Sequence, residues 1–504
     1  MANRSITIPK AHLIMALCLP LAVLLGYVLA EPMDGGTFAV VTLVLAALAV
    51  PLLMKWHHPL LVSTWNFYMA FAFLPGSPSV WMLMAPLALM FALLNRAVNP
   101  DQRFISAPTI ARPLLFFLGA LVVTAWMTGG IGLRSFGSSH YGSRSYFYMT
   151  MAVAGFFAFS SQRIPVEKAP IYVGCYFLGT LTSIVPHLLY YIGPKAYFLF
   201  EIFPTSFIAE QVKADTALGY GIFRLAGLSA VGPAACCFLL ARYGIRGLLD
   251  VYRPWRALLF LLAVAVGTFS GFRSSVLLIA LTFGALFYFE GLHRTRILPG
   301  LLALAVIGFA VLLPTANKLP LVVQRSLTFL PLDLDILAEQ NAYASSNWRV
   351  QMWKEVLPEV PKHLFKGKGY AIDPNEVYLA GAAERWDNTA YGSRLVGDYH
   401  NGPLSVVVPL GIWGVIGFGW FLIASCRLLY RNARHGDPRL QKINNLLLAA
   451  FVAKMLFFVF VFGGLYAELY IFIGLVGLAV SLNGSPPTQV QEQEAEPETV
   501  EAFG

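Results

Sequence analysis

Charge is scarce in this chain. Of 504 residues, 12% are Asp, Glu, Lys or Arg and 58% are hydrophobic, against roughly a quarter charged in an ordinary soluble domain. A soluble fold is excluded, because no core of this size hides so much apolar surface; lipid must be the solvent for most of the chain. Cysteine is also sparse. Cys18, Cys175, Cys236, Cys237 and Cys426 lie in or at the end of apolar runs, with neither metal-ligand nor disulfide spacing, and read as small packing residues. No HxxxH or HExxH occurs, and His57 and His58 are simply adjacent, so neither a metal site nor a cofactor is expected. The excess of basic over acidic residues, 35 against 26, would suit nucleic acid in a soluble protein. In a membrane protein basic residues collect in cytoplasmic loops instead, and no nucleic-acid partner is expected.

Apolar runs long enough to span, or nearly so, fall at 11–30, 37–54, 59–74, 79–95, 111–131, 145–162, 169–191, 226–241, 257–271, 274–291, 297–315, 403–426, 443–463 and 465–482. The expected fold is all-α: a polytopic helical membrane protein of about 12–14 transmembrane helices, with a large periplasmic loop bearing short amphipathic helices. Residues 11–30 with Val28-Leu29-Ala30 pass as a signal peptide, but the length of the run and the spans that follow favour a retained first helix. The pair 59–74 and 79–95, joined by Pro75-Gly76-Ser77-Pro78, reads as two spans or as a re-entrant hairpin. With Met1 inside, alternation gathers Lys55, Arg96, Arg163, Arg242, Arg253, Arg294, Arg427 and Lys442 on the inner side. Short outer loops then hold only Arg134, Arg144, Lys195, Lys213, Arg224 and Arg273, as the positive-inside rule requires.

The chain thus divides into an N-terminal bundle 1–315, an outer loop 316–402, C-terminal helices 403–483 and an acidic tail 484–504 expected to be disordered. The loop carries Lys318, Arg325, Arg349, Lys354, Lys362, Lys366, Lys368, Arg385 and Arg394. Long loops escape the charge rule. Pro331–Gln340 and Trp348–Val360 read as short amphipathic helices, the second with Trp348, Met352 and Val356 on one face and Pro358 and Pro361 ending it. Lys366-Gly367-Lys368-Gly369 makes a turn.

Three residues stand out for chemistry. Arg273, between two apolar spans, and Arg224, where an outer loop re-enters the membrane, are interface anchors on the plain reading. Together they would form an anion clamp, since guanidinium binds phosphate oxygens bidentately. His400, at the start of the helix beginning near Pro403, is a capping histidine on the plain reading. Alternatively it is a general base held neutral by the helix dipole. Gly411, Gly414 and Gly417 suggest close helix packing. Lys454, inside a span, is expected to pair with Glu468.

His400-Asn401-Gly402-Pro403-Leu404, with Pro409-Leu410-Gly411-Ile412-Trp413-Gly414 after it, resembles the His-Asn signature of the O-antigen ligase and polymerase superfamily. Ser270–Ser275 is similar to that family's Ser-Arg-Gly turn, with Ser274 in place of glycine. Trp348-Arg349 through Trp353, then Phe365–Tyr370, resembles its outer-loop element. Arg224-Leu225-Ala226-Gly227 resembles its helix-mouth motif, with Pro233-Ala234 in place of Pro-Asn. The resemblance covers 220–420. It implies a GT-C type glycosyltransferase of the bacterial inner membrane, needing no metal, with both termini cytoplasmic. The donor is a glycan on undecaprenyl pyrophosphate and the acceptor a glycan or lipid at the periplasmic face. Other polysaccharide-assembly proteins are implied partners. By the same resemblance Arg224 and Arg273 hold the pyrophosphate and His400 acts on the acceptor hydroxyl. Arg349, Asp398, Asn401, Trp353 and Lys368 contact or frame the substrate. Ligase and polymerase share this donor chemistry. A lipid-linked oligosaccharide flippase is the rival from another class; it predicts an internal repeat, which the sequence does not show, and leaves the long loop without a role. A non-catalytic scaffold would leave the arginines and His400 dispensable.

Overall fold

The computed structural model describes residues 35–72, 74, 77–99, 104–130, 143–209, 224–372 and 393–484, with isolated positions at 15, 18–20, 22, 23, 26, 212, 375 and 378. The expected first span with its cleavage site, Arg134, Lys213, Arg385 and the tail 485–504 otherwise lie outside these residues. Extended pairing among the described residues is confined to one antiparallel bridge, Ala70–Ser79; the rest is helical. The chain runs through α1 (Gly35–Thr64), α2 (Val80–Val98), α3 (Pro108–Thr128) and α4 (Ser143–Phe159). It continues through α5 (Ala169–Leu178) and α6 (Val185–Ile192), then α7 (Ala226–Leu248), α8 (Trp255–Phe269), α9 (Arg273–Phe289) and α10 (Ile297–Leu312). Outside the membrane follow α11 (Leu321–Leu327), α12 (Ile336–Val356) and α13 (Val360–His363). The chain returns through α14 (Gly402–His435), α15 (Gln441–Phe460) and α16 (Leu465–Asn483). Seven helices among the described residues are long and apolar enough to cross a membrane, and three further apolar helices are shorter. The protein is therefore an all-α, multi-pass membrane protein.

Small residues set the packing. Gly474 and Gly477 bring α16 against Trp65, Tyr176 and Phe159, Gly417 brings α14 against Phe116 and Phe117, and Gly232 meets Gly267 between α7 and α8. Close backbone approach of this kind gains dispersion contacts where no hydrophobic effect favours helix association.

Three expected boundaries change. The runs 37–54 and 59–74 are one helix as far as Thr64, after which the described residues before α2 are non-helical. Polar Lys55–His58 suggested a loop, but His57 turns to its own helix and the bundle satisfies His58. His57 Nδ1 is 3.0 Å from Met54 O, and His58 Nε2 is 2.8 Å from Ser481 Oγ and 3.1 Å from Phe159 O. The run 169–191 is interrupted by a 3₁₀ stretch, Gly179–Ile184. Finally, the separate helices expected at 331–340 and 348–360 are the single α12. Asp335 caps it by accepting the Leu337 N–H at 2.8 Å, and the intervening Ala342 and Ala344 favour continuation. The face read from the sequence is correct. Met352 and Val356 are buried against Tyr399, Leu404 and Val408, with Trp348 beside them.

The helix α14 is broken at Gly411, whose φ of 63° and ψ of −161° no helix accommodates. Ile412 N–H turns from Val408 O to Leu364 O at 2.6 Å, and Val408 O and Pro409 O accept instead from the N–H groups of Lys368 (2.8 Å) and Gly369 (2.9 Å). The Lys366–Gly369 turn is thus stitched into the break. A Cβ on Gly369 would fall 2.1 Å from Thr128 Oγ1.

Lys454 Nζ lies 2.7 Å from Glu468 Oε1, both residues 8% exposed, as the sequence suggested. Removing one partner of a buried pair strands the other charge. Lys454→Met is expected to cost about 3–5 kcal/mol, read as a lower thermal midpoint in detergent, and adding Glu468→Leu is expected to recover most of it. Equal loss in the single and double variants contradicts the pairing.

Candidate functional site

Four helices converge on one cleft. At the mouth of α7, Gly227 carries only hydrogen, so its backbone lies against the 3₁₀ stretch: a Cβ there would sit 2.1 Å from Ser183 O. Gly227 N–H donates to His187 Nε2 at 3.1 Å, and Ser183 Oγ donates to Gly227 O at 2.9 Å. Leu225 N–H donates to Ser270 O at 3.0 Å, which fixes Arg224 beside the turn that precedes α9. That turn depends on Gly271, with φ 76°, and delivers Arg273 as the first residue of α9.

Arg273 reaches across to α12, where Nη2 donates to Ala342 O (3.1 Å) and Ser346 Oγ (2.9 Å). Arg349, also on α12, points to the same place. Its guanidinium lies 5.5 Å from the Phe462 ring centroid, and that of Arg224 lies 5.7 Å from that of Phe272. Arg325 from α11 completes the group. It is 3% exposed, donates from Nε to Asn341 Oδ1 at 2.6 Å and from Nη1 to Gly271 O. Arg224, Arg273, Arg325 and Arg349 line a cavity of about 250 Å³ with Phe272, Ser274, Leu277, Phe329, Ser345, Ser346 and Val461, and no carboxylate among them. Burial first, then the Arg273 and Arg224 guanidiniums, push the Arg349 proton affinity below its ordinary value. Arginine nonetheless keeps its proton. Arg349 Nε is buried and has no hydrogen-bond partner among the described residues. Like charges held together with an unmet donor are stabilised by an oxyanion accepting charge-assisted hydrogen bonds.

His400 borders this cleft across Phe462. Its ring meets Phe462 and Trp348 edge-on, both at 5.0 Å, so Arg349 and His400 share one aromatic neighbour. The backbone of His400 is left-handed, φ 49°. Its N–H donates to Asp398 Oδ1 at 3.1 Å, and Nδ1 lies 3.1 Å from the same oxygen but out of line for a hydrogen bond.

The structure therefore brings together Arg224, Arg273, Arg349, Asp398 and His400. Three other sequence candidates have different positions. Asn401 caps α14, its Oδ1 accepting the Leu404 N–H at 3.0 Å, so it is not turned toward the imidazole. Trp353 Nε1 donates to Tyr399 O at 2.8 Å and braces α12 against the chain entering α14. Lys368 is exposed, with its main chain spent on the helix break, and does not line the cleft. Arg325 was not singled out from the sequence. Its signal was the polar triplet Gln324-Arg325-Ser326 within an apolar stretch, all three residues buried.

Fold and site together define a multi-pass helical membrane protein with an arginine-lined cleft at one face, roofed by an extramembrane helix. Residues 226–419 match the family described as O-antigen ligase. The match covers less than half of the chain and includes Arg273, Arg325, Arg349 and His400; Arg224 lies just before it. No curated protein matches the chain.

Proposed function

We propose that this protein is a bacterial inner-membrane glycosyltransferase that passes a glycan from undecaprenyl pyrophosphate to an acceptor hydroxyl at the periplasmic face. The observation that carries this reading is the convergence of Arg224, Arg273, Arg325 and Arg349 on one cleft, beside a histidine. The acceptor oxygen attacks the anomeric carbon of the glycan as the bond from that carbon to the pyrophosphate oxygen breaks. His400 takes the hydroxyl proton, and the electron pair leaves with the pyrophosphate. Arg224, Arg273 and Arg349 hold the two phosphates and stabilise the charge that grows on the departing oxygen. Pyrophosphate is already a good leaving group, so one base and several fixed cations account for the reaction. α12 serves as the roof that keeps water from the anomeric carbon.

Ligation to a lipid or glycan acceptor is the first reading; polymerisation of lipid-linked repeat units uses the same donor site. Gene deletion followed by complementation separates them. Loss of capped surface glycan with lipid-linked precursor accumulating indicates ligation, whereas single-repeat products indicate polymerisation. Unchanged surface glycan in the deletion strain overturns both.

The orientation has its own test. A cysteine placed at Ser345, which lines the cleft, is expected to react with an impermeant maleimide in intact spheroplasts. Reaction only after permeabilisation contradicts the topology.

A further inference from the structure

At the opposite, inner face, three arginines converge on a second cavity, of about 350 Å³. Arg112 is the fifth residue of α3, and Arg427 and Arg431 lie one turn apart on α14. Among the described residues no carboxylate lines the cavity. Two other arginines on this face are in ion pairs: Arg256 with Asp250 at 3.8 Å, and Arg439 with Asp437 at 2.9 Å and Glu167 at 3.2 Å. Among the described residues none of Arg112, Arg427 and Arg431 is in an ion pair, and all three are exposed. Thr109, second residue of α3, also lines the cavity, and its N–H has no partner inside the helix. Fixed positive charge with an open donor calls for an oxyanion.

The walls above the cavity say which kind. Moving toward the membrane interior, the groove between α3 and α14 exposes Phe116 (38%), Trp420 (45%) and Ile423 (55%), and the Phe116 and Trp420 rings lie 6.1 Å apart. It opens further out into an apolar cavity of about 510 Å³, in which Phe116, Val123 and Trp413 face one another and nothing approaches Gly119 within 4 Å. We infer that this groove binds an anionic phospholipid of the inner leaflet, its phosphate on Arg112, Arg427 and Arg431 and an acyl chain along Phe116 and Trp420. Basic pockets between membrane helices on the cytoplasmic side are suited to such headgroups, and the apolar continuation favours a lipid over a soluble phosphate or an acidic protein.

The test uses the full chain in neutral detergent, with lipid retention read by native mass spectrometry against phosphatidylglycerol and phosphatidylcholine. Wild type is expected to retain phosphatidylglycerol selectively. Each cation near an anionic headgroup contributes roughly a factor of five. The triple variant Arg112→Gln, Arg427→Gln, Arg431→Gln is therefore expected to lose selectivity on the order of a hundred-fold. Arg253→Gln, on the same face but outside the groove, is expected to keep it. Should the triple variant not fold, Arg427→Gln and Arg431→Gln singly are expected to show a graded loss. Equal retention by wild type and variants, equal retention of phosphatidylcholine, or displacement of the lipid by millimolar inorganic phosphate overturns the assignment.

Discussion

Arg273→Ala is expected to lower glycan transfer by about 10²–10³-fold, the usual consequence of removing one fixed donor from a developing oxyanion. The loss is expected in turnover and in donor affinity together, because in the proposed mechanism the guanidinium meets the pyrophosphate both before and during bond breaking. Arg273→Lys is expected to rescue only part of it: an ammonium restores the charge but not the planar fork, nor the simultaneous reach to Ala342 O and Ser346 Oγ. Those two contacts also tie α9 to α12, so thermal unfolding must be measured alongside transfer from a lipid-linked donor. A variant with wild-type activity at normal expression removes Arg273 from the mechanism. One whose loss follows instability alone reduces it to a strut.

The second large effect is expected at His400. The useful substitution is asparagine, because the residue holds φ 49°, a left-handed conformation that asparagine tolerates and alanine does not. His400→Asn therefore deletes the imidazole and largely spares the backbone. Transfer is expected to fall about 10²–10⁴-fold, the range for loss of a positioned base. Donor binding is expected to persist, since the four arginines are untouched. Single-turnover assays with donor in excess distinguish the outcomes: slowed transfer with normal donor retention supports the base, and joint loss of both points to a folding role for the Trp348–His400–Phe462 stack.

The sequence disclosed this site unevenly, and for physical reasons. Arg224 and Arg273 were conspicuous because a cation on a short outer turn violates the local charge pattern, and membrane chains carry few charges to confuse the reading. Arg325 had the opposite fortune. It belongs to a loop already rich in basic residues, where the polar triplet Gln324-Arg325-Ser326 is a faint signal, and its burial is a tertiary fact. Capping and bracing use the same polar atoms as substrate binding, and which partner those atoms meet is decided by residues distant in sequence: Trp353 Nε1 meets Tyr399 O. Apolar periodicity located most helices but not their continuity. Lys55–His58 looks like a loop until Ser481 and Phe159 come up against His58, and α12 looks like two helices until its Asp335 cap is seen.

The break in α14 has a consequence for how the protein is made. Buried carbonyls without partners cost roughly 1–3 kcal/mol each. Those of Val408 and Pro409 are met only by Lys368 and Gly369, some forty residues nearer the ribosome's starting point. The final shape of the helix that follows His400 is completed by a segment that precedes it in the chain. Assembly of the C-terminal third therefore waits on the fate of the outer loop. A ribosome-bound chain stopped soon after His435 is expected to show α14 completed only when residues 364–369 are present on the outer side.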